Sequence, residues 1–554
     1  MRPAEAFAAA GDLLDRWHSA ITGARGWPRA GFAFGAGALS NLAMAPFFLA
    51  PVLFLTLPVL VWLIDDAVRA PGGLNARIRV AAQDGWWFGF GYFVFGLFWI
   101  GAAFLVEVGT FAWMLPFAVT LMPAGLALFW AGAAALAVLM WRPGLGRIIV
   151  LALAFGVCEW LRGHILTGFP WNVLGYALTW PLVMMQSAGL LGIYGLTLVA
   201  VPVFSLPLVA AQDAPRGGAR RRAGLRAVAF ALVPVVLLAG YGTYRLAGAP
   251  DDVADGVKIR VVQPSVPQRE KWRADRQDAI FQDHLDLSLT NAAGERDGLD
   301  GITHVIWPEA AMPFLPLERP EALQAIGDML PDDVFLLAGA LRREQAEGHE
   351  AQGHAFRAFN SLMLFDGAGV LKGTYDKTHL VPFGEYLPWQ STLEGIGLQQ
   401  LTRRRGGFTE GVTPRPPLRV PGLPAVGGVI CYEAIFPGLS RASSAPVGLI
   451  VNVTNDGWFG TTTGPYQHFH QSRVRAVEEG LPLIRAANNG ISALIDPSGR
   501  VIAKLGLDVR GTFDASLPLP HSPPPYAAWG DALFLLAGLL LAATLFRPGN
   551  AVRP

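Results

Sequence analysis

Charge is the first thing this sequence has little of. Asp, Glu, Lys and Arg make up 15% of its 554 residues, against about 25% in an ordinary soluble protein. The shortfall sits in the first 250 residues and in one stretch near the C-terminus, whereas residues 256 to 525 carry ordinary numbers of charges. A single water-soluble globule is therefore excluded, and two solvents shape the chain. Excess charge of one sign is also lacking: the net charge is +1, and the one dense basic run, "RGGARRRAGLR" at 216–226, lies between apolar spans. Nothing in that pattern calls for nucleic acid. Cysteine is rarer still, with Cys158 in an apolar span and Cys431 in the polar region. Two are too few for a disulfide framework and leave the redox compartment open. The N-terminus, "MRPAEAFAAAGDLLDRWHSA", has Glu5, Asp12 and Asp15 and no long apolar core, so no cleavable secretory signal is expected.

What is present is a series of long apolar runs. A helix crosses a bilayer with about 20 mostly apolar residues, and eight such spans are expected near 29–45, 47–64, 86–106, 112–140, 147–163, 182–210, 225–246 and 527–546. Arginine placement orients them. With the N-terminus in the cytoplasm, Arg16, Arg25 and Arg29, then Arg69, Arg77 and Arg79, then Arg142 and Arg147, then the 216–226 cluster, then Arg547 and Arg553 all fall inside. The opposite short segments, 107–111 and 164–181, have no Lys or Arg. Seven spans before the polar region and one after it put that region on the outer face. The expected organisation is a membrane bundle over 1–250, an outer domain over 256–520 and a last helix over 526–547.

In the outer domain short β-branched runs alternate with helix-like segments at 270–292 and 465–480. "VKIRVVQPSV", "THVIWPEA", "VFLLAGAL", "FNSLMLFD", "GGVICYEA", "GLIVNVTND" and "LIRAANNGISALIDPSGRV" read as strands, and "IDPSG" as a hairpin turn. The alternation argues for α/β layers. Three motifs follow strands: "WPEAAMP" with Glu309, "YDKTHLVPFGEYLP" with Lys377 and Glu385, and "CYE" with Cys431. Taken singly, Cys431 fits a core position better than a catalytic one, since a free thiol behaves as a small hydrophobe.

Taken together, Glu309, Lys377 and Cys431 resemble the Glu-Lys-Cys triad of the nitrilase (carbon-nitrogen hydrolase) superfamily. The resemblance implies a four-layer α-β-β-α sandwich. "TGFPW" at 167–171, "QSAGLLGIYGL" at 186–196, "KTHLVPFGEYLP" and "NDGWFG", framed by the apolar spans, are similar to the bacterial apolipoprotein N-acyltransferase family. That likeness implies transfer of a fatty acyl chain from a phospholipid, through a cysteine thioester, to the free α-amino group of a diacylglyceryl-modified N-terminal cysteine. It implies a monomer in the bacterial inner membrane, with the sandwich periplasmic and both termini cytoplasmic. No cofactor and no metal are expected. His468 and His470 in "QHFHQ" point to different sides of a helix and lack a carboxylate-histidine motif.

An ordinary thiol is mostly protonated at neutral pH, so Glu309 is expected as the base and Lys377 as the cation beside the sulfur and the developing oxyanion. Glu385 is expected to orient Lys377 or a substrate amine, Tyr432 and Glu433 to shape the pocket, and Asn455 and Trp458 to form another wall. Trp272 is a candidate substrate contact. Phe314, Leu315, Leu387 and Trp389 are expected on exposed loops giving lipids access. The competing readings are a membrane-anchored amidase or nitrilase for small amides, and a non-catalytic nitrilase-like scaffold or transporter using intramembrane charges such as Glu159.

Overall fold

The computed structural model describes residues 3–345, 356–395, 407–441 and 443–546. It divides into two compact units. One takes in the chain up to Phe98, then Pro116–Gly248, and resumes at Pro525; the other holds Trp99–Leu115 and Ala249–Pro524.

The first unit is helical. Five helical stretches are long and apolar enough to cross a membrane: Ala50–Arg69, Leu74–Leu105, Val108–Met140, Ala188–Asp213 and Gly218–Ala247. Helices also occupy the other three expected positions, but each misses that standard. Trp27–Ser40 has 14 residues, and Ala532–Phe546 is a shorter apolar helix. Gly146–His164 has 19 residues but carries Arg147, Glu159 and Arg162. Charges buried in this unit are paired, as low-dielectric surroundings require. Arg29 donates to Asp84 at 2.8 and 2.6 Å, and Arg147 to Asp213 at 2.7 Å. Glu159 binds Arg162 at 2.6 Å and accepts from the Trp130 indole. Arg162 also donates to the Trp171 carbonyl at 3.0 Å, fixing the end of the "TGFPW" loop. Glu159 is thereby committed to its neighbours, which removes the best support for a transport path.

The second unit is built on two sheets. The strands are β1 (Val253–Gln263), β2 (His304–Trp307), β3 (Phe335–Gln345), β4 (Phe356–Phe365), β5 (Leu371–Asp376), β6 (Val426–Ile430), β7 (Leu449–Thr454), β8 (Leu483–Ala487), β9 (Ser492–Ile495), β10 (Val501–Leu505) and β11 (Gly511–Pro518). One sheet runs β11-β1-β2-β3-β4-β5 and the other β10-β9-β8-β7-β6. β1, β2 and β3 pair in parallel, as do β6, β7 and β8; the remaining pairs are antiparallel.

Side-chain alternation along each strand creates the layers. In β2, Ile306 joins the core between the sheets, while Val305 and Trp307 turn to the opposite face. There they meet Phe281 and Leu285 of helix Gln277–Ser288, with Ala322 and Ile326 of helix Pro320–Met329. In β6, Ile430 faces the shared core and Val429 faces Ala476 of helix Thr463–Glu479. Helices thus cover both outer faces, and the sandwich is α-β-β-α as expected. The "IDPSG" turn joins β9 to β10: the Asp496 carboxylate accepts from the backbone N–H groups of Ser498 and Arg500 at 2.9 and 2.7 Å.

The expected span 86–106 overlaps the apolar stretch Leu74–Leu105, and its last residues pack on the sandwich. From Trp99 the chain is part of the sandwich unit. The Trp99 indole donates to Gln467 at 3.1 Å and meets Phe459 edge-on at 4.7 Å. Gly464 makes room for it, because a Cβ there would stand 2.7 Å from the indole. Hydropathy alone extends the span to 106, since an indole suits lipid and protein packing equally well.

Candidate active site

Glu309, Lys377 and Cys431 each follow the carboxyl end of a strand, β2, β5 and β6 respectively, and all three are buried. Ala310 (φ 46°) and Cys431 (φ 51°) are both left-handed. For residues with a Cβ this is a strained conformation, costing about 1–3 kcal/mol and concentrated at functional sites. At β2 the bend presses the Glu309 backbone against β3, where a Cβ on Gly339 would lie 2.5 Å from the Glu309 Cα. Cys431 opens the short 3₁₀ turn Cys431–Ile435.

Glu309 is held by Asn360 of β4, whose Nδ2 donates to it at 2.7 Å and to Glu385 at 3.1 Å. Glu385 grips Lys377 with both oxygens, at 3.0 and 2.9 Å, and is itself fixed by the Val381 N–H at 2.8 Å. Glu385 and Lys377 thus form a buried ion pair. Glu433 is fully buried and works as a knot. It accepts from the Ile430 N–H at 2.7 Å, the Thr378 N–H at 2.9 Å, the His379 N–H at 3.0 Å and the Arg415 guanidinium at 2.7 Å. Those bonds lock the residues next to Lys377 onto the turn that carries Cys431, so Glu433 supports the site from behind.

Electrostatics follows from burial. Burial, then the Glu309 carboxylate, pushes the Cys431 thiol well above its usual range, with Lys377 pulling the other way. The resting sulfur is thus a protonated thiol that needs a base at the moment of attack. Burial also raises the Glu309 carboxyl; Lys377 opposes this and Glu385 adds to it. Burial disfavours the Lys377 ammonium, but Glu385, Glu309 and Cys431 outweigh it and hold the pKa above that of an ordinary lysine.

A pH dependence follows. A raised carboxyl pKa means the base becomes protonated sooner as pH falls, so acylation of Cys431 is expected to decline at a pH above the ordinary carboxylate range of about 4. Single-turnover acylation measured against pH checks this, and a plateau running down to that ordinary range would contradict it.

A second network lies behind the nucleophile. His468 places Nε2 3.1 Å from the Cys431 carbonyl, and its Nδ1 lies 2.9 Å from Asp456 and 3.0 Å from Arg485. Arg485 donates to Asp456 at 2.7 Å. Burial, then Arg485, lowers the His468 pKa, while the Asp456 carboxylate opposes them. His468 of the "QHFHQ" motif is thus engaged with Cys431, Asp456 and Arg485. Among the described residues no group of three His, Cys, Asp or Glu is arranged to hold one.

The remaining expected residues divide. Tyr432 is buried, its ring 5.0 Å from Phe436. Asn455 is buried and bonded to Gln268 at 2.7 Å and Asn488 at 3.1 Å, bracing loops rather than facing open space. Trp458 is half-buried, and Trp272 and Trp389 are exposed. Phe314 and Leu387 do not lie on exposed loops. Both are buried, Phe314 within the core that contains Phe281 and under the Arg319 guanidinium. An apolar run such as "MPFLPL" can fill a core or coat a surface, and the adjoining helix face decided for the core. Leu315 is half-buried. Exposed apolar side chains on the Glu385 loop are instead Phe383 and Trp389. Most of the "TRRRGG" stretch, residues 396–406, lies outside the described residues.

Asn360, Arg415, Asp456, Arg485 and Lys271 were not singled out from the sequence. Their only signal is polarity inside or beside apolar strands, as in "FNSLMLF" and "LIRAA".

The sequence pattern of the carbon-nitrogen hydrolase family matches residues 258–521, and that of the apolipoprotein N-acyltransferase N-terminal domain matches 36–206. The sandwich is thus of the carbon-nitrogen hydrolase class. An apolipoprotein N-acyltransferase of Rhodopseudomonas palustris is 46% identical over 97% of this chain and 99% of its own length. One from Bradyrhizobium diazoefficiens is 46% identical over 93% and 95%. The crystal structure of a carbon-nitrogen hydrolase from Helicobacter pylori G27 is 15% identical, covers 47% of this chain and 89% of its own, and has a TM-score of 0.34, too low to carry an argument. The chain belongs to the apolipoprotein N-acyltransferase family.

Proposed function

We propose that the chain moves a fatty acyl group from a phospholipid to the free α-amino group of a diacylglyceryl-cysteine at the N-terminus of an apolipoprotein, with Cys431 as the covalent carrier. The observation that carries this reading is a buried Cys431 at a strained strand end, in the fields of both Glu309 and Lys377.

In the first half-reaction Sγ attacks the ester carbonyl while Glu309 takes the thiol proton. The oxyanion forms beside Lys377. Its collapse breaks the ester C–O bond, and Glu309 returns the proton to the departing lysophospholipid oxygen. In the second, the neutral amine attacks the thioester, Glu309 accepts an amine proton, the C–S bond breaks, and the proton returns to sulfur as the amide forms. Glu385 keeps Lys377 aimed throughout. The residues themselves suffice for each step.

Lipid substrates explain the membrane helices. Buried acyl chains gain about 0.8 kcal/mol per methylene, so extracting a long-chain lipid into water costs on the order of 10 kcal/mol. Phe383 and Trp389 on the Glu385 loop, and Leu105, Val108 and Trp113 on the segment Trp99–Leu115, are exposed apolar side chains of the sandwich unit suited to a lipid boundary. The arginine pattern supports eight spans in a bacterial inner membrane, with 256–520 periplasmic and both termini cytoplasmic. A reporter enzyme fused after residue 520 is expected to be active outside the cytoplasm.

The deciding assay supplies a phospholipid and a diacylglyceryl-cysteine peptide and reads N-acylation, alongside hydrolysis of a soluble amide without lipid. Transfer without amide hydrolysis is expected. The reverse outcome would make the protein a membrane-anchored amidase.

A further inference from the structure

Lys271 has no part in the chemistry above, yet its ammonium is buried beside it. It ends the short helix Gln268–Lys271 and is 2% exposed. Its Nζ donates to the Glu309 backbone carbonyl at 2.9 Å, and its charge interacts with both Glu309 and Cys431. A lysine side chain withdrawn from water at this depth needs a compensating partner.

The charge balance of the site supplies one. Two carboxylates, Glu309 and Glu385, and two ammonium groups, Lys377 and Lys271, are buried together. Lys377 is committed to both oxygens of Glu385, while Glu309 is bonded by the neutral Asn360 amide. Without Lys271 the cluster would hold two anions and one cation. Lys377 is the stronger counterweight to the burial of Glu309 and Lys271 adds to it, so without Lys271 the Glu309 carboxyl would be raised further.

We propose that Lys271 is a positioning residue of the transfer reaction: it ties the Glu309 backbone in place and provides the countercharge that keeps that carboxylate ionised before each proton abstraction. The proposal rests on Glu309 being the base.

The groups facing Lys271 are Glu309 at the end of β2, Cys431 after β6 and His284 of helix Gln277–Ser288; Glu309 in turn faces Lys377 and Glu385. Burial holds His284 at about 4, so it stays neutral at working pH. Burial brings Lys271 down to about 8 against the pull of Glu309 and Cys431. A lysine lowered in this way still carries its charge at neutral pH, where Glu309 has to be ionised.

The test follows single-turnover acylation of Cys431 by mass spectrometry, in the full-length protein with phospholipid micelles, across pH. For Lys271→Met the expected result is an acid limb moved up by about one unit, so that acylation on that limb is about tenfold slower and the rate returns as pH rises. Lys271→Arg should keep the wild-type acid limb, because a guanidinium supplies the same charge. A wild-type profile in Lys271→Met, or an equal loss at every pH, would overturn the proposal. Should Lys271→Met fail to fold, Lys271→Gln takes its place, since it can still donate to the Glu309 carbonyl but carries no charge: a wild-type acid limb in that variant overturns the proposal. Glu309→Gln in the same assay separates the two readings. Wild-type acylation in that variant removes Glu309 as the base, whereas a dead Glu309→Gln beside an unshifted Lys271→Met removes only the role given to Lys271.

Discussion

Cys431→Ala is expected to form no acyl-enzyme and to lose N-acyl transfer by at least about 10⁴-fold, the scale on which loss of a covalent nucleophile falls. The substitution should fold. The side chain is small, it packs in the core between the sheets with Ile430 and Val453, and the turn is held by Glu433 through the Ile430 N–H and by His468 through the Cys431 carbonyl. Loss of activity with unchanged thermal stability would therefore report chemistry. Intact-mass measurement after incubation with phospholipid reads the result directly: wild type gains one fatty acyl group, and the variant gains none. Retained transfer in a folded Cys431→Ala protein would remove the sulfur from the reaction.

Glu309→Gln comes next in size. The amide keeps the shape of the carboxylate and can still accept from Asn360, but it cannot take a proton. A general base contributes about 10²–10⁴-fold, so acylation should fall by that amount and lose its acid limb. Because the base and the nucleophile act as one unit, Glu309→Gln combined with Cys431→Ala should be no worse than Cys431→Ala alone. Additive losses would mean that Glu309 serves a step independent of the sulfur. Lys377 answers to similar logic, but its removal also frees the Glu385 carboxylate inside the fold, so its loss mixes catalysis with repacking.

The strand ends that carry Glu309 and Cys431 were legible because each motif follows a short apolar run, whereas β5 before Lys377 is the polar LKGTYD. Alternation of strands with helix-like segments also forecast α/β layers. The site's supports were not legible. Asn360 bonds Glu309 from 51 positions away, and Lys271 reaches the Glu309 carbonyl from 38. Glu433 was expected in the pocket wall because it adjoins Cys431, yet its carboxylate points back to the Thr378 and His379 N–H groups. Sequence adjacency does not reveal which way a side chain faces at the start of a 3₁₀ turn. Phe314 and Leu387 were misplaced for a related reason: hydrophobicity states that a side chain avoids water, and leaves open whether lipid or protein covers it. Trp99 shows the same ambiguity from the membrane side.

By itself the sequence determined the division between the apolar spans and the polar domain, the alternation of strands and helices in the sandwich, and the places of Glu309, Lys377 and Cys431 along the chain. These follow from composition, periodicity and motif, all of which are local along the chain. Tertiary structure alone decided which buried charges meet: Lys377 with Glu385, Lys271 with the backbone of Glu309, Arg485 with Asp456 behind the nucleophile. Pairing of that kind is set by desolvation, which forces each buried charge to find a partner wherever the fold brings one within reach.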